Sequence, residues 1–348
     1  LDGVSDVAKL CNAVNTVVRK GGRLYGYNTD YQGMRYMLDR AGIDLKNKVV
    51  AILGGGATGD TAAALAKAVG AKTVLRVTRA GEINYKNAYE KAGAAQVVIN
   101  ATPVGSVGFS VEESLDIERF PHLEAFVDCT YNPYRTKTLI KAERLGFKTG
   151  KGLDMLVGQA AHSAALWRGE AFTRSAADAA LGFVKKKTLG IVLIGMPSAG
   201  KTTIGKAISR RLKKDFYDVD ALIEAAEKST CEDLITKRGE AYFRQAETKA
   251  VKSLSSVRGA VIATGGGTIL NEENVLSLKA AGVVVLIKRP LELLEAAFRP
   301  LTASRGVEGL YRERCSAYSD AADRVVTNDK TIDECVEKVI KAYEDFSY

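Results

Sequence analysis

Two stretches of this sequence run apolar and then break on glycines: residues 49–59 read VVAILGGGATG and residues 191–203 read IVLIGMPSAGKTT. Each predicts a strand that ends in a tight turn and hands over to the start of a helix, whose unpaired N–H groups and dipole favour a phosphate. A chain that carries two such units commits most of its length to α/β architecture. At 348 residues it also exceeds what one hydrophobic core usually organises, so two domains are expected. From Lys48 onward, short Val/Ile/Leu runs alternate with alanine-rich helical stretches, as parallel α/β units do. Strands are expected at 48–53, 73–77, 96–100 and 125–128, and again near 189–194, 259–263 and 283–287. Helices are expected over 31–40, 153–168 and 173–184, after which VKKKT reads as a junction, giving domains 1–186 and 187–348. No repeat relates the two halves.

Composition narrows the classes of function. The longest apolar runs are near strand length, which argues against a spanning helix or a secretory signal and points to the cytoplasm. Five cysteines, Cys11, Cys129, Cys231, Cys315 and Cys335, have no paired spacing and read as reduced thiols. The net charge is +9, with 25 lysines and arginines against 18 acids up to Lys186 and 25 against 23 beyond it. Basic and acidic residues are interspersed, and no basic stripe with interleaved aromatics appears. Anionic small molecules are therefore the expected partners, with no nucleic acid and no membrane; the oligomeric state is not written in the sequence.

In the first loop Gly54, Gly56 and Gly59 fit G-x-G-x-x-G between a strand and a helix, the setting of a dinucleotide pyrophosphate. A tight strand-to-helix turn is the plain alternative. At the end of the next strand, Thr78 and Arg79 suit the 2′-phosphate of NADP, while Glu82 keeps NAD as the lesser option. Asp60 is a complication, since its charge at the helix start would repel phosphates. The second loop, GMPSAGKT, matches G-x-x-x-x-G-K-[ST]. Gly195, Ala199, Gly200 and Thr203 belong to its phosphate cradle, Lys201 reaches the transferring end, and the Thr202 hydroxyl ligates Mg2+. Asp218 and Asp220 in YDVD lie two apart, so on a strand end they face the same way: one could hold hydrated Mg2+, the other accept a hydroxyl proton. Arg244 and Glu247 neighbour each other on a helix face, TGGG at 264–267 offers close backbone approach, and RERCSAY supplies Arg314. Two arginines converging on one site would suit a carboxylate. His122, His162 and Trp167 read as structural.

NAVNTVV with GYNTDYQGM, then NATPVG, VDCTYNPYRTKTL and GLDMLVGQAA, in this order, resemble shikimate dehydrogenase from Leu1 to about Lys186. The resemblance implies a Rossmann-type NADP(H)-binding domain in which Asn15, Asp30 and Gln159 hold the polyol, with Asp30 part of the catalytic pair. It further implies that Tyr131 lies near the substrate and that Gly152 and the 100–105 turn flank the nicotinamide. Taken singly, Asp30 or Thr29 could instead cap helix 31–40. The family's amino-terminal lobe carries serines for the substrate carboxylate and a lysine paired with the aspartate matching Asp30. The sequence opens at Leu1 after all of it, so the expectation is a fragment that binds NADPH and reduces 3-dehydroshikimate poorly.

The pieces from 187 to 348 resemble shikimate kinase. That resemblance implies a P-loop, nucleoside-monophosphate-kinase-like parallel sheet that uses ATP, with Asp218 and Thr202 at the Mg2+. Asp220 would bind and deprotonate the 3-hydroxyl, Arg244, Gly266, Gly267 and Arg314 would hold shikimate, and Arg299 of FRPL would come from a lid onto the phosphates. The stretch LELLEAAFRPLTASRG lacks the basic residue that often precedes Arg-Pro-Leu, which puts the adenine-side contacts in question. Together the halves imply reduction of 3-dehydroshikimate and phosphorylation of shikimate, two steps toward chorismate and the aromatic amino acids. The alternatives are an active kinase with a non-catalytic dinucleotide-binding or docking domain, and a kinase for another small hydroxy acid or nucleotide.

Overall fold

The computed structural model describes residues 1–109, 115–294 and 306–347, and the chain divides into two compact units, Leu1–Phe183 and Val184–Tyr348. The first opens with a small sheet of β1 (Gly3–Val4), β2 (Thr16–Lys20) and β3 (Arg23–Tyr27) in the order β1-β3-β2. These strands carry little signal in the sequence, because they are short and only one face of β2 is buried. The signal that could have found them is the two-residue turn Gly21-Gly22, with φ of 55° and 81°, which joins β2 and β3 as an antiparallel hairpin.

The main sheet of this unit is five parallel strands, β4 (Val49–Leu53), β5 (Thr73–Val77), β6 (Val97–Asn100), β7 (Ala125–Asp128) and β8 (Lys148–Lys151), in the order β5-β4-β6-β7-β8. Val50 and Ile52 of β4 join one core with Met34, Met37 and Leu65, while Ala51 and Leu53 join a second with Ile117, Phe120 and Leu139. Helices thus cover both faces, which is why these strands read as unbroken apolar runs. Strand order reverses beside β4, where open α/β sheets bind ligands. The helix Thr29–Ala41 is capped by Asn28, whose side chain accepts from the Tyr31 amide at 3.0 Å. Neither Thr29 nor Asp30 serves as its cap. The helix Arg174–Thr188 runs on through Lys185–Lys187, so VKKKT is helix and not a loop. Lysine is a good helix former, and Thr188 Oγ1 closes the last turn on the Val184 carbonyl at 2.8 Å.

The second unit holds β9 (Gly190–Ile194), β10 (Phe216–Asp218), β11 (Val261–Ala263), β12 (Gly282–Lys288) and β13 (Arg324–Thr327), all parallel in the order β10-β11-β9-β12-β13. The central β9 is buried along its whole length. Gly190 and Gly282 let β9 and β12 start side by side, since a Cβ on Gly282 would overlap the Gly190 backbone. Among the described residues no helix is long and apolar enough to cross a membrane.

Candidate active sites

In the first unit β4 ends at Gly54, which has φ of 114° and where a Cβ would come within 2.9 Å of the Ala101 carbonyl. Gly56 begins the helix Ala57–Ala68 with no side-chain cap, leaving its first N–H groups for a ligand. The third glycine has a different task. A Cβ on Gly59 would meet the Gly54 carbonyl at 2.7 Å and Arg76 Nη2 at 2.8 Å. Arg76 lies over this helix start and pairs with Asp60 at 3.1 Å. The Asp60 charge therefore does not confront a phosphate alone, which corrects the repulsion expected from sequence. Arg76 itself, inside β5, was missed because nothing local marks it. Thr78 packs over the loop, where a Cβ on Gly55 would touch its Cγ2 at 3.3 Å; Arg79 beside it is exposed. Glu82 is turned to Lys91 at 3.5 Å.

The polar residues expected to hold a polyol come from three elements. Asn15 Oδ1 accepts from the Thr29 amide at 2.8 Å, Thr29 Oγ1 at 3.1 Å and Thr16 Oγ1 at 3.1 Å. Gln159 Oε1, at 3.3 Å, is the alternative acceptor for the Thr29 hydroxyl, and Ser163 Oγ sits 2.9 Å from both Thr16 and Thr29. Asp30 hydrogen-bonds Asn15, and burial pushes its carboxyl above the usual range. Asn15, Asp30 and Gln159 are thus brought together, with Thr16, Thr29 and Ser163 as partners the sequence did not announce. Gly33 makes this approach possible, since a Cβ there would lie 2.8 Å from the Gln159 amide. Tyr131 is exposed, at the start of the loop that follows β7.

Gly152 packs so tightly that a Cβ would overlap the Cys129 and Thr130 carbonyls. The 100–105 turn hangs on a buried network: Asn100 Nδ2 donates to Asp128 Oδ1 at 3.0 Å and to the Val104 carbonyl at 3.1 Å. Thr136 Oγ1 donates to Asp128 Oδ2 at 2.7 Å, and burial raises the Asp128 carboxyl to about 6.

In the second unit the loop after β9 bends through Gly195, Ser198 and Gly200, with φ of 144°, 62° and 94°. Lys201 is buried at the head of the helix Lys201–Leu212, and its Nζ donates to the Gly195 and Met196 carbonyls at 2.9 and 2.8 Å. Thr202 Oγ1 donates to Asp218 Oδ2 at 2.7 Å, while Asp218 Oδ1 caps the helix Val219–Glu227 by accepting from the Asp220 amide at 3.1 Å. A hydroxyl and a carboxylate side by side are hard oxygen donors of the kind Mg2+ takes. Among the described residues no cluster of three or more His, Cys, Asp or Glu could hold a metal.

Two cavities flank this loop. The larger, about 750 Å³, is lined among others by Pro197, Asp220, Arg244, Glu247, Gly267 and Arg314. The smaller, about 330 Å³, is lined by Ser198, Gly200, Lys201, Thr202, Thr203, Asp220, Thr264, Arg289 and Leu293. Asp220 and Thr202 line both. Arg244 donates to Glu247 at 2.8 Å and Glu240 at 3.1 Å, and presses against Gly267, where a Cβ would collide with its guanidinium. The buried Glu247 also accepts from Thr268 Oγ1 at 2.6 Å. Gly266 packs on the Pro197 ring, and its carbonyl accepts from Tyr318 Oη at 2.5 Å. Arg314 is 2% exposed, and its Nε and Nη2 find no partner among the described residues. Arg314 lines the larger cavity, and a buried guanidinium with two unpartnered donors suits an anion there. Arg299 lies outside the described residues.

A five-stranded parallel sheet with a phosphate loop after its central strand and a cavity beside it defines a P-loop nucleotide-binding domain with room for a second small molecule. The shikimate kinase family model matches residues 197–344. The shikimate kinase of Clostridium botulinum strain Alaska E43 is 41% identical over 157 residues, covering 43% of this chain and 94% of that protein. Through its second unit the chain belongs to the shikimate kinase family. A crystal structure of shikimate kinase from Acinetobacter baumannii in complex with shikimate is similar over 46% of this chain and 95% of its own, at 30% identity and a TM-score of 0.43. Shikimate dehydrogenase 1 from Peptoclostridium difficile is similar over 53% of this chain and 72% of its own, at 33% identity and a TM-score of 0.47.

Proposed function

We propose that the chain is bifunctional: residues 1–186 serve NADPH-dependent reduction of 3-dehydroshikimate to shikimate, and residues 187–348 serve ATP-dependent phosphorylation of shikimate to shikimate 3-phosphate. The product of the first reaction is the substrate of the second, a consecutive pair in cytoplasmic chorismate synthesis. The observation that carries the kinase reading is that Asp220 and Thr202 line both cavities of the second unit, so donor and acceptor meet at them.

In the kinase, Arg314 and Arg244 grip the acceptor carboxylate, and Asp220 takes the proton of the 3-hydroxyl as its oxygen bonds to the γ-phosphorus. The bond from that phosphorus to the β-phosphate bridging oxygen breaks and ADP leaves. Lys201 and the loop N–H groups neutralise the charge, and Thr202 with Asp218 would hold Mg2+. In the dehydrogenase, NADPH supplies the hydride. Gly54 and Gly56 would let the backbone approach the pyrophosphate, Thr78 and Arg79 would take the 2′-phosphate, and Asn15, Asp30 and Gln159 would hold the hydroxyls. The ketone oxygen needs a proton as it becomes an alkoxide, and the raised Asp30 carboxyl can retain one toward acid pH.

The test is shikimate-dependent ADP release and 3-dehydroshikimate-dependent NADPH oxidation measured on one preparation. ADP release is expected to be brisk and NADPH oxidation weak, with reduction slowing further as pH rises and Asp30 loses its proton. ADP release alone would reduce the first unit to a binding module, and an ATPase indifferent to shikimate would overturn the kinase assignment.

A further inference from the structure

The smaller cavity of the second unit contains a cation that the phosphate-loop motif does not include. Arg289 follows the last residue of β12 and lines that cavity with Gly200, Lys201, Thr202 and Thr203. Its Nε is buried and has no hydrogen-bond partner among the described residues. The position is fixed to the loop from two sides. Gly195 sits against Ile287, where a Cβ would run into the carbonyl. Buried Asn328 donates its backbone N–H to the Lys288 carbonyl at 2.8 Å and its side-chain Nδ2 to the Ala199 carbonyl at 2.9 Å. One residue therefore ties the end of β12 to the loop that cradles phosphate. Pro290 comes next and restricts the Arg289 backbone to extended conformations, so the side chain leaves from a defined base.

We propose that Arg289 is a nucleotide-binding residue of the kinase, its guanidinium bonding a phosphate of ATP and ADP from the β12 side while Lys201 and the loop amides bond from the other. This rests on the kinase reading. A guanidinium presents paired donors to phosphate oxygens, and the two cations Arg289 and Lys201 outnumber the single carboxylate of Asp220 in this cavity, which leaves it positive and suited to an anionic ligand. The acceptor carboxylate is not its ligand, because the larger cavity draws its cations from Lys206, Arg244 and Arg314.

The experiment compares the wild type with Arg289→Met and Arg289→Lys, using ADP binding by calorimetry, KM for ATP and for shikimate, and the melting temperature without nucleotide. Arg289→Met is expected to weaken ADP binding and raise KM for ATP about tenfold, with KM for shikimate within twofold and an unchanged melting temperature. Arg289→Lys should recover part of the loss. Unchanged ADP affinity in both variants, a rise in KM for shikimate instead, or a fall in melting temperature with equal loss of both substrates would each overturn the proposal. ADP binding by the wild type is a separate readout, whose absence would overturn the kinase reading along with it.

Discussion

Arg314, as the proposed anchor of the acceptor carboxylate, would carry function at the expense of stability. Its guanidinium is 2% exposed, and two of its nitrogens have no partner among the described residues. Burying unpaired polar donors costs on the order of 1–3 kcal/mol. An acceptor carboxylate would satisfy them with charge-assisted bonds of about 1.5–3 kcal/mol each. Arg314→Met is therefore expected to raise KM for shikimate about a hundredfold while leaving the melting temperature unchanged or higher. Titrating shikimate in the ADP-release assay, beside a thermal melt, checks both; KM within twofold of the wild type would remove Arg314 from the site. Arg244 offers the contrast. It is held by Glu240 and Glu247, so it arrives at the cavity already oriented.

Between elements, Asp128 joins the ends of β6 and β7 to the helix Lys137–Arg144, through Asn100 and the capping Thr136. Burial raises its carboxyl to about 6, whereas an unfolded aspartate titrates near ~4. Between those values the folded protein keeps a proton that the unfolded chain has released, so this residue's contribution to stability falls as pH rises and is gone above the upper value. At about 1.4 kcal/mol per pH unit of displacement, the loss between roughly pH 4.5 and pH 7 is about 2 kcal/mol. Urea unfolding of the wild type and Asp128→Asn at those two pH values measures it. The wild type should lose about that much stability relative to the variant on going to pH 7, and parallel changes in the two proteins would sink the assignment.

At the scale of the whole molecule, the two units have separate sheets, and each proposed activity draws its residues from one of them. Lys201→Met removes the ammonium at the head of the phosphate loop and should lower phosphorylation at least about a thousandfold, the size of effect associated with losing one transition-state cation. NADPH binding, followed by fluorescence titration, should not change. Loss of both would show that the units do not work independently.

Local order was legible in the sequence. The two glycine loops, the apolar strands after each of them and the i, i+3 neighbours Arg244 and Glu247 follow from dihedral preference and side-chain period, which are properties of short stretches. Thr202 could be named for the same reason, but Asp218 and Asp220 do not share a strand end as their spacing suggested: Asp218 closes β10 and caps the helix Val219–Glu227, whose first turn holds Asp220. The weakly apolar strands β1, β2, β3, β8 and β13 were not legible, because half-exposed or very short strands carry little periodic signal and are fixed by their neighbours in the sheet. Contacts between distant residues also had to wait for the tertiary structure: Thr16 with Ser163 across 147 positions, Arg76 on Asp60, and Arg289 brought to the phosphate loop by Asn328. Sequence determined which residues can do chemistry here, since that depends on side-chain type and local spacing. Only the fold decided which of them are buried, paired or left facing a cavity, because burial and partnership depend on which remote segments pack against them.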